Sequence, residues 1–317
     1  MMTTSALLRM TAPMRRDFEI PYHDLGDPDQ PPRVALIAGL HGDEINGVFV
    51  LSRLANFLGG VDLGERPAQK LLGRVVIIPA VNVLGLNIRS RTWPFDKTDI
   101  NRMFPGYDAG ETSQRIAHAV LQVTRDAQYR IDLHSSNHDF EESPQVRLYD
   151  PNPRERSTAF LFGLPSVIER PSTSLFTATI GHAWQKLGGE NFVIQAGQAG
   201  NLHLPYCERV FRALVAFLRR TGTLEGLELS EEDEDTYYFG PKQSVRLISD
   251  YAGIFVSNLE PGRWVQAGDV IGYVYHGFDG HIHGEIRTPV AGLLTGLRRQ
   301  PLLCQGDLVG RIQTRQP

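Results

Sequence analysis

Apolar and polar positions divide the chain into two regions of different character. In the first, four short runs are apolar and rich in β-branched residues: "VALIAGL" (34–40), "VVIIPAV" (75–81), "YRIDL" (129–133) and "NFVIQA" (191–196). Such runs predict buried strands. Between them the spacing becomes helical: Val48, Leu51, Ala55 and Leu58 recur at intervals of three and four, as do Val210, Leu214, Phe217 and Leu218 after Tyr206. Strands alternating with helices predict an α/β fold, a mostly parallel or mixed sheet flanked by helices.

Beyond the acidic stretch "EGLELSEEDED" (225–235) the pattern changes. The stretch reads as a solvated linker, dividing a domain at 1–235 from a second at 236–317. Residues 236–317 show short alternating segments separated by glycine and proline, the pattern of a small all-β domain. "WVQAGDVIGYV" (264–274) is echoed by "LLCQGDLVGRI" (302–312), and two similar halves suggest a flattened β-sandwich or barrel that resembles the biotinyl/lipoyl-carrier type. In those carriers a lysine between the halves takes the cofactor. "HGFDGHIHGEIRTPVAG" has none, so the resemblance implies shape and no swinging arm.

Composition narrows the function classes. The chain has 317 residues, 41% hydrophobic and 21% charged, which suits a globular protein with a sizeable core. A formal net charge of -4 leaves no basic footprint for nucleic acid. No apolar run approaches the ~18 residues that cross a membrane. Cys207 and Cys304 make no disulfide framework, and the first twenty residues lack the pattern of a secretory signal. The expectation is a cytoplasmic protein with a small-molecule partner.

The candidate chemistry lies where strands end. His41 follows the first predicted strand, Asn82 the second and His134 the third, while Gln195 lies near the end of the fourth. In open α/β sheets those carboxyl ends face the ligand crevice. His41-x-x-Glu44 with His134 supplies two imidazoles and one carboxylate, a three-ligand zinc set with the fourth position left for water. Gly42 is expected to let the backbone turn sharply between the first two. His138, His182, His203, His281 and His283 lack the strand-end context and read as solvated or hydrogen-bonded.

"GLHGDEINGV", "SRTWPFDKTDINRMFPG" and "IDLHSS" resemble the succinylglutamate desuccinylase/aspartoacylase family, a branch of the zinc carboxypeptidase (M14) superfamily, over roughly residues 34–215. The resemblance implies a zinc carboxypeptidase-like fold, one zinc ion per subunit on His41, Glu44 and His134, and hydrolysis of the amide of a small N-acylated amino acid. It further implies that Asn101 and Arg102 hold a substrate carboxylate, for which arginine's planar fork is suited. Arg91 matches the arginine that stabilises the oxyanion. Arg147 is a second anion contact or a salt bridge. Asp96 and Asp99 orient the arginine pair or cap a turn. Related enzymes often form dimers or larger homo-oligomers.

One position departs from the family pattern. The general-base glutamate is expected near the end of a late strand, and "NFVIQAGQAGNLH" places Gln195 there. An amide does not act as a base at neutral pH. Glu190, Glu141, Glu142 and Glu285 are the nearest carboxylates in sequence. Three functions follow: a zinc deacylase, a zinc-containing protein that binds an acidic ligand with impaired or no turnover, and a carboxypeptidase on short peptides.

Overall fold

The structure, a computed structural model, describes residues 5–11, 17–228 and 235–315. Two strands, β1 (Ser5–Met10) and β2 (Phe18–Leu25), precede the first predicted one, β3 (Val34–Ala38). There follow β4 (Lys70–Leu71), β5 (Val75–Ile78), β6 (Tyr129–Ser136), β7 (Phe140–Tyr149), β8 (Ser166–Arg170) and β9 (Glu190–Gln198). All four predicted strands are present with different ends. β3 stops at Ala38, two residues before the apolar run does, and β6 continues to Ser136, so His134 lies inside its strand rather than after it. Gln195 is likewise inside β9.

The helices are α1 (Ile45–Asp62), α2 (Val83–Ile88), α3 (Thr112–Thr124), α4 (Pro153–Ala159), α5 (Ile180–Gln185) and α6 (Leu204–Arg220). Periodicity had marked α1 and α6. Both bury their apolar stripes on one face of the sheet, where Leu51, Leu54, Leu58, Leu214 and Phe217 meet Val34, Leu36, Ile131 and Phe192. On the other face, Ile37, Leu40, Ile78 and Trp93 pack with residues of α3 and α5, including Ile116, Val120 and Trp184. A sheet covered on both faces explains why its inner strands are continuously apolar.

The remainder is β-rich. β10 (Leu224–Glu225) pairs with β4, and the part of the acidic stretch at 229–234 lies outside the described residues. Then come β11 (Tyr237–Phe239), β12 (Ser244–Ile248), β13 (Gly253–Val256), β14 (Arg263–Val265), β15 (Val270–Tyr275), β16 (Ile282–Arg287), β17 (Gly292–Arg298), β18 (Leu302–Leu303) and β19 (Leu308–Gln313). The large sheet has 13 strands, ordered β1-β2-β5-β3-β6-β9-β7-β17-β19-β12, with β8, β11 and β14 beside that path. Its centre, β5, β3, β6 and β9, is parallel. A second sheet, β16-β15-β13-β18, faces the tail's share of the first across Phe255, Ile271, Val274, Leu294, Leu297 and Ile312. This is the expected sandwich, and β17 joins it to β7 through Gly296↔Glu142 and Leu297↔Glu141. The tail therefore reaches the edge of the cavity described below.

Glycine shapes the first site loop, though by a different route from the one expected. Gly42 does not adopt a positive φ; a Cβ there would lie 2.2 Å from the carbonyl carbon of Gly85 and 2.4 Å from the Ser90 oxygen. Close backbone approach is what excludes a side chain. The turn itself falls at Gly39, with φ +63°.

Candidate metal centre and its cavity

Three carboxyl-terminal strand regions converge on one cavity of about 800 Å³. The loop after β3 supplies His41, and Glu44 is the N-cap residue of α1. N-cap side chains ordinarily accept from the helix's own first N–H groups. Glu44 makes no such bond. Its Oε1 instead lies 2.6 Å from His41 Nδ1 and its Oε2 3.0 Å from His134 Nδ1, while Ser135 N donates to Oε2 at 2.8 Å. The carboxylate is withheld from the helix and turned to the imidazoles.

Each imidazole is held from behind by an aspartate. His41 Nε2 faces Asp99 Oδ1 at 3.1 Å, and His134 Nε2 faces Asp132 Oδ2 at 2.7 Å. An Nε2–H donated to each aspartate leaves both Nδ1 lone pairs directed at the point that Glu44 also faces. That is the arrangement of metal-ligating histidines, whose outer nitrogen donates to a carboxylate. The three ligand atoms lie within 4.8 Å of one another, so His41, Glu44 and His134 could hold a metal ion. Asp132 Oδ1 is buried without a hydrogen-bond partner among the described residues, as suits an acid retained to orient His134 rather than to knit the core.

The electrostatics agree with a cation-seeking site. Burial opposes ionisation of Glu44, yet the two imidazoles hold its carboxyl well below the ordinary range. Burial likewise opposes charging of His134, but Asp132 and Glu44 push it well up. His41 is raised against burial by Glu44 and Asp99. Asp99, despite burial, is drawn down to about 2 by His41. Two carboxylates thus stay ionised around the imidazoles where a cation would complete the set.

The other expected residues surround this centre. Arg91 Nη1 is 3.3 Å from Glu44 Oε1, and its Nη2 is 2.9 Å from His41 Nε2 and 3.6 Å from Asp99 Oδ2. It can donate to that nitrogen only in the other His41 tautomer. Asn101 and Arg102, in the short turn Ile100–Arg102, line the cavity. Asn101 Oδ1 accepts from Ile180 N at 3.0 Å, and Arg102 Nη1 donates to the Asn101 carbonyl at 2.8 Å. Asp99 caps that turn by accepting from Asn101 N, while Asp96 caps its own turn through Thr98 N.

Gln195 is opposite His134 in the β6–β9 pairing. Its Oε1 accepts from Arg147 Nη1 at 3.2 Å, and Arg147 Nη2 donates to Glu142 Oε1 at 2.5 Å. Of the four carboxylates named as stand-ins for a base, only Glu142 lines the cavity. Glu141 pairs with Arg299, Glu285 pairs with Arg287 on the exposed β16, and Glu190 opens β9 at the opposite end from the cavity.

Sequence reasoning passed over several cavity residues. Asp132 was recoverable, because residues two apart on a strand share a face and His134 was already singled out. Arg170 of β8 and Arg311 of β19 carry no local signal; long-range pairing alone brings them in. His138, expected to be solvated or hydrogen-bonded, is exposed at the rim and faces Asp43 Oδ2 at 3.1 Å. His203 stacks on Tyr206, and His182 packs edge-on against Phe176. His281 is bonded to Asp279 on the β15–β16 hairpin, where His276, Asp279 and His281 form a second, exposed group with ligand atoms within 4.8 Å. Among the described residues no helix is long and apolar enough to cross a membrane.

This fold and site define a catalytic domain of a known class. Residues 30–219 match the Succinylglutamate desuccinylase/Aspartoacylase catalytic domain, and the chain belongs to that family. A relative, the N-alpha-acetyl-L-2,4-diaminobutyric acid deacetylase of Halomonas elongata, is 28% identical over 293 residues, covering 89% of this chain and 82% of that protein. The fold is similar to a solved succinylglutamate desuccinylase/aspartoacylase of Rhodobacter sphaeroides (TM-score 0.75, 23% identity, 94% and 90% of the two chains). It is equally similar to the product-bound ectoine utilization protein EutE (DoeB) of Ruegeria pomeroyi (TM-score 0.75, 23% identity, 94% and 90%).

The aspartate behind His134 gives a direct test of the centre. Asp132→Asn is expected to weaken metal affinity by about 10–100-fold, the usual effect of removing such a partner. Competition with a chromogenic chelator measures it, and an unchanged affinity would remove Asp132 from the site.

Proposed function

We propose that this protein is a zinc-dependent hydrolase that removes the acyl group from a small N-acylated amino acid. The observation that carries the reading is the convergence of His41 Nδ1, His134 Nδ1 and Glu44, each imidazole backed by an aspartate, inside an arginine-lined cavity. The activity named for the Halomonas relative supports the same chemistry. Two imidazoles and a carboxylate suit zinc, which at such a site would polarise the amide carbonyl and lower the pKa of a water to about 7.

The chain's own groups would do the rest. Arg102 offers its fork, and Asn101 its amide N–H₂, to the substrate carboxylate, since Asn101 Oδ1 is already occupied. Arg91, close to Glu44 and half exposed to the cavity, is suited to donate to the oxygen that gains charge. Gln195 cannot take a proton. With Oε1 occupied by Arg147, its remaining donors can only orient an oxygen. Glu142 is then the available acceptor on the cavity wall, although Arg147 already binds it.

The test is hydrolysis of a panel of N-acyl amino acids by zinc-loaded protein. Release of the acyl acid is expected to disappear on treatment with dipicolinate and to return with zinc. The second reading, a zinc-containing binding protein, is favoured only by Gln195. It prevails if ligands bind saturably while neither the natural protein nor Gln195→Glu releases product faster than free zinc.

A further inference from the structure

A second cluster of metal-ligating side chains lies on the hairpin that joins β15 to β16 in the smaller sheet. The tip is "HGFDGH" (276–281), and His283 follows it in β16. In the sequence these residues are only near neighbours; the turn is what folds His276 and Asp279 back onto His281. Backbone bonds close it, His276 N donating to the His281 carbonyl at 2.9 Å and Gly280 N to the His276 carbonyl at 3.1 Å. Gly280, with φ +73°, takes the left-handed conformation that the reversal requires.

Asp279 is the hub of the tip. Its Oδ1 accepts from His281 N at 3.2 Å, which fixes the carboxylate, and lies 3.1 Å from His276 Nδ1 and 2.5 Å from His281 Nδ1. The two rings stack with centroids 5.1 Å apart and planes 24° apart. One ligand atom from each residue therefore faces a common point, all within 4.8 Å of one another. Stability does not call for this set, because exposed ion pairs contribute little and the backbone already closes the turn. His283 stands behind it. Its Nδ1 can only donate to the Ala252 carbonyl, at 3.2 Å, and its ring centroid is 6.2 Å from those of His276 and His281.

We propose that His276, Asp279 and His281 form a surface site for a first-row divalent transition ion of the nickel, copper and zinc group, separate from the cavity centre. Two imidazoles with one carboxylate suit those borderline ions, whereas calcium and magnesium take oxygen ligands. In the metal-free tip both Nδ1–H groups donate to Asp279. When an ion takes the two Nδ1 lone pairs, each ring carries its proton on Nε2 instead, and the neutral rings gain or lose none overall. The ion ties the end of β15 to the start of β16 in place of the hydrogen bonds that it displaces.

Exposure sets the strength of the site. His41 and His134 each have an aspartate behind the outer nitrogen, whereas among the described residues His276 and His281 pair with Asp279 alone. Each missing partner of that kind costs about 10–100-fold in metal affinity. Zinc therefore fills the cavity centre first and reaches the hairpin only at far higher free metal. The hairpin site needs no substrate, and it stands or falls independently of the hydrolytic reading.

The test is calorimetric titration with Ni(II) of protein whose cavity has first been loaded with zinc and freed of excess. One equivalent per chain is expected to bind saturably. His276→Asn, His281→Asn and Asp279→Asn should each weaken it by about tenfold or more, since losing a ligand costs no less than losing an outer partner. All three side chains lie at the surface, so the variants should melt with the unsubstituted protein and keep their cavity zinc by mass spectrometry. His283→Asn is the control: it removes a histidine from the same hairpin without touching the three ligands, and Ni(II) should bind it as before. Affinity unchanged in the three ligand variants reduces the binding to adventitious association and overturns the site. An equal loss in His283→Asn also overturns it, because the number of histidines and not this geometry would then hold the ion.

Discussion

His41→Ala and His134→Ala are each expected to retain no stoichiometric zinc at micromolar free metal and to lose amide hydrolysis by about 10³-fold or more, because the several kcal/mol supplied by a Lewis acid vanishes with it. The geometry gives the reason. Glu44 spans the two imidazoles, one oxygen to each, so deleting either ring leaves two donors on one side of an open pocket. The variants should nevertheless differ in stability. Without His134, buried Asp132 loses the partner of Oδ2 while Oδ1 already has none, which costs about 1–3 kcal/mol or more. Without His41, Asp99 still accepts from Asn101 N and faces Arg91. Zinc content by mass spectrometry and a thermal melt of the metal-free proteins read the two effects separately. Full zinc content in either variant would dissolve the proposed centre.

The residues of that centre were legible because their signals are local. A histidine and a glutamate three apart, at the boundary between an apolar run and a helical period, imply a strand-to-helix turn, and "IDLHSS" places a second histidine on the neighbouring parallel strand. The same period marked α1 and α6. What was not legible depends on pairing across long separations. Nothing near Arg311 reveals that β19 lies two strands from β7, nor does "SVIER" reveal that Arg170 joins Arg147. The expected linker and second domain followed from a change of pattern. A pattern reports that strands form and not which sheet receives them, so the continuity of the tail with the large sheet through β17 and β7 was invisible. Gly42 illustrates a subtler limit. A sharp turn is expected there, but the turn falls at Gly39, and what Gly42 meets is close contact with the Gly85–Ser90 segment, which sequence spacing does not encode.

Gln195→Glu tests how the chain manages without the glutamate expected at that position. The expected result is a rise in kcat of about 10²–10⁴-fold with little change in KM, the usual contribution of a positioned general base. Position 195 is opposite His134, and Arg147 already donates to its Oε1, so an introduced carboxylate would meet a ready cation and stay ionised at neutral pH. The shared guanidinium makes the experiment informative in either direction. Arg147 binds Glu142 as well, and that contact keeps its guanidinium charged against the cost of burial. If Glu142 already takes the proton, Gln195→Glu draws Arg147 away from it and gains less than about tenfold, whereas Glu142→Gln removes turnover. If neither group serves, Glu142→Gln leaves the low natural rate unchanged and Gln195→Glu alone restores it. Since Glu142→Gln also leaves the Arg147 guanidinium without its carboxylate, its thermal melt and zinc content must match the unsubstituted protein before a lost rate is assigned to proton transfer. With both measured, the ratio of the two variants' kcat values distinguishes a base on β7 from a position on β9 that needs one restored.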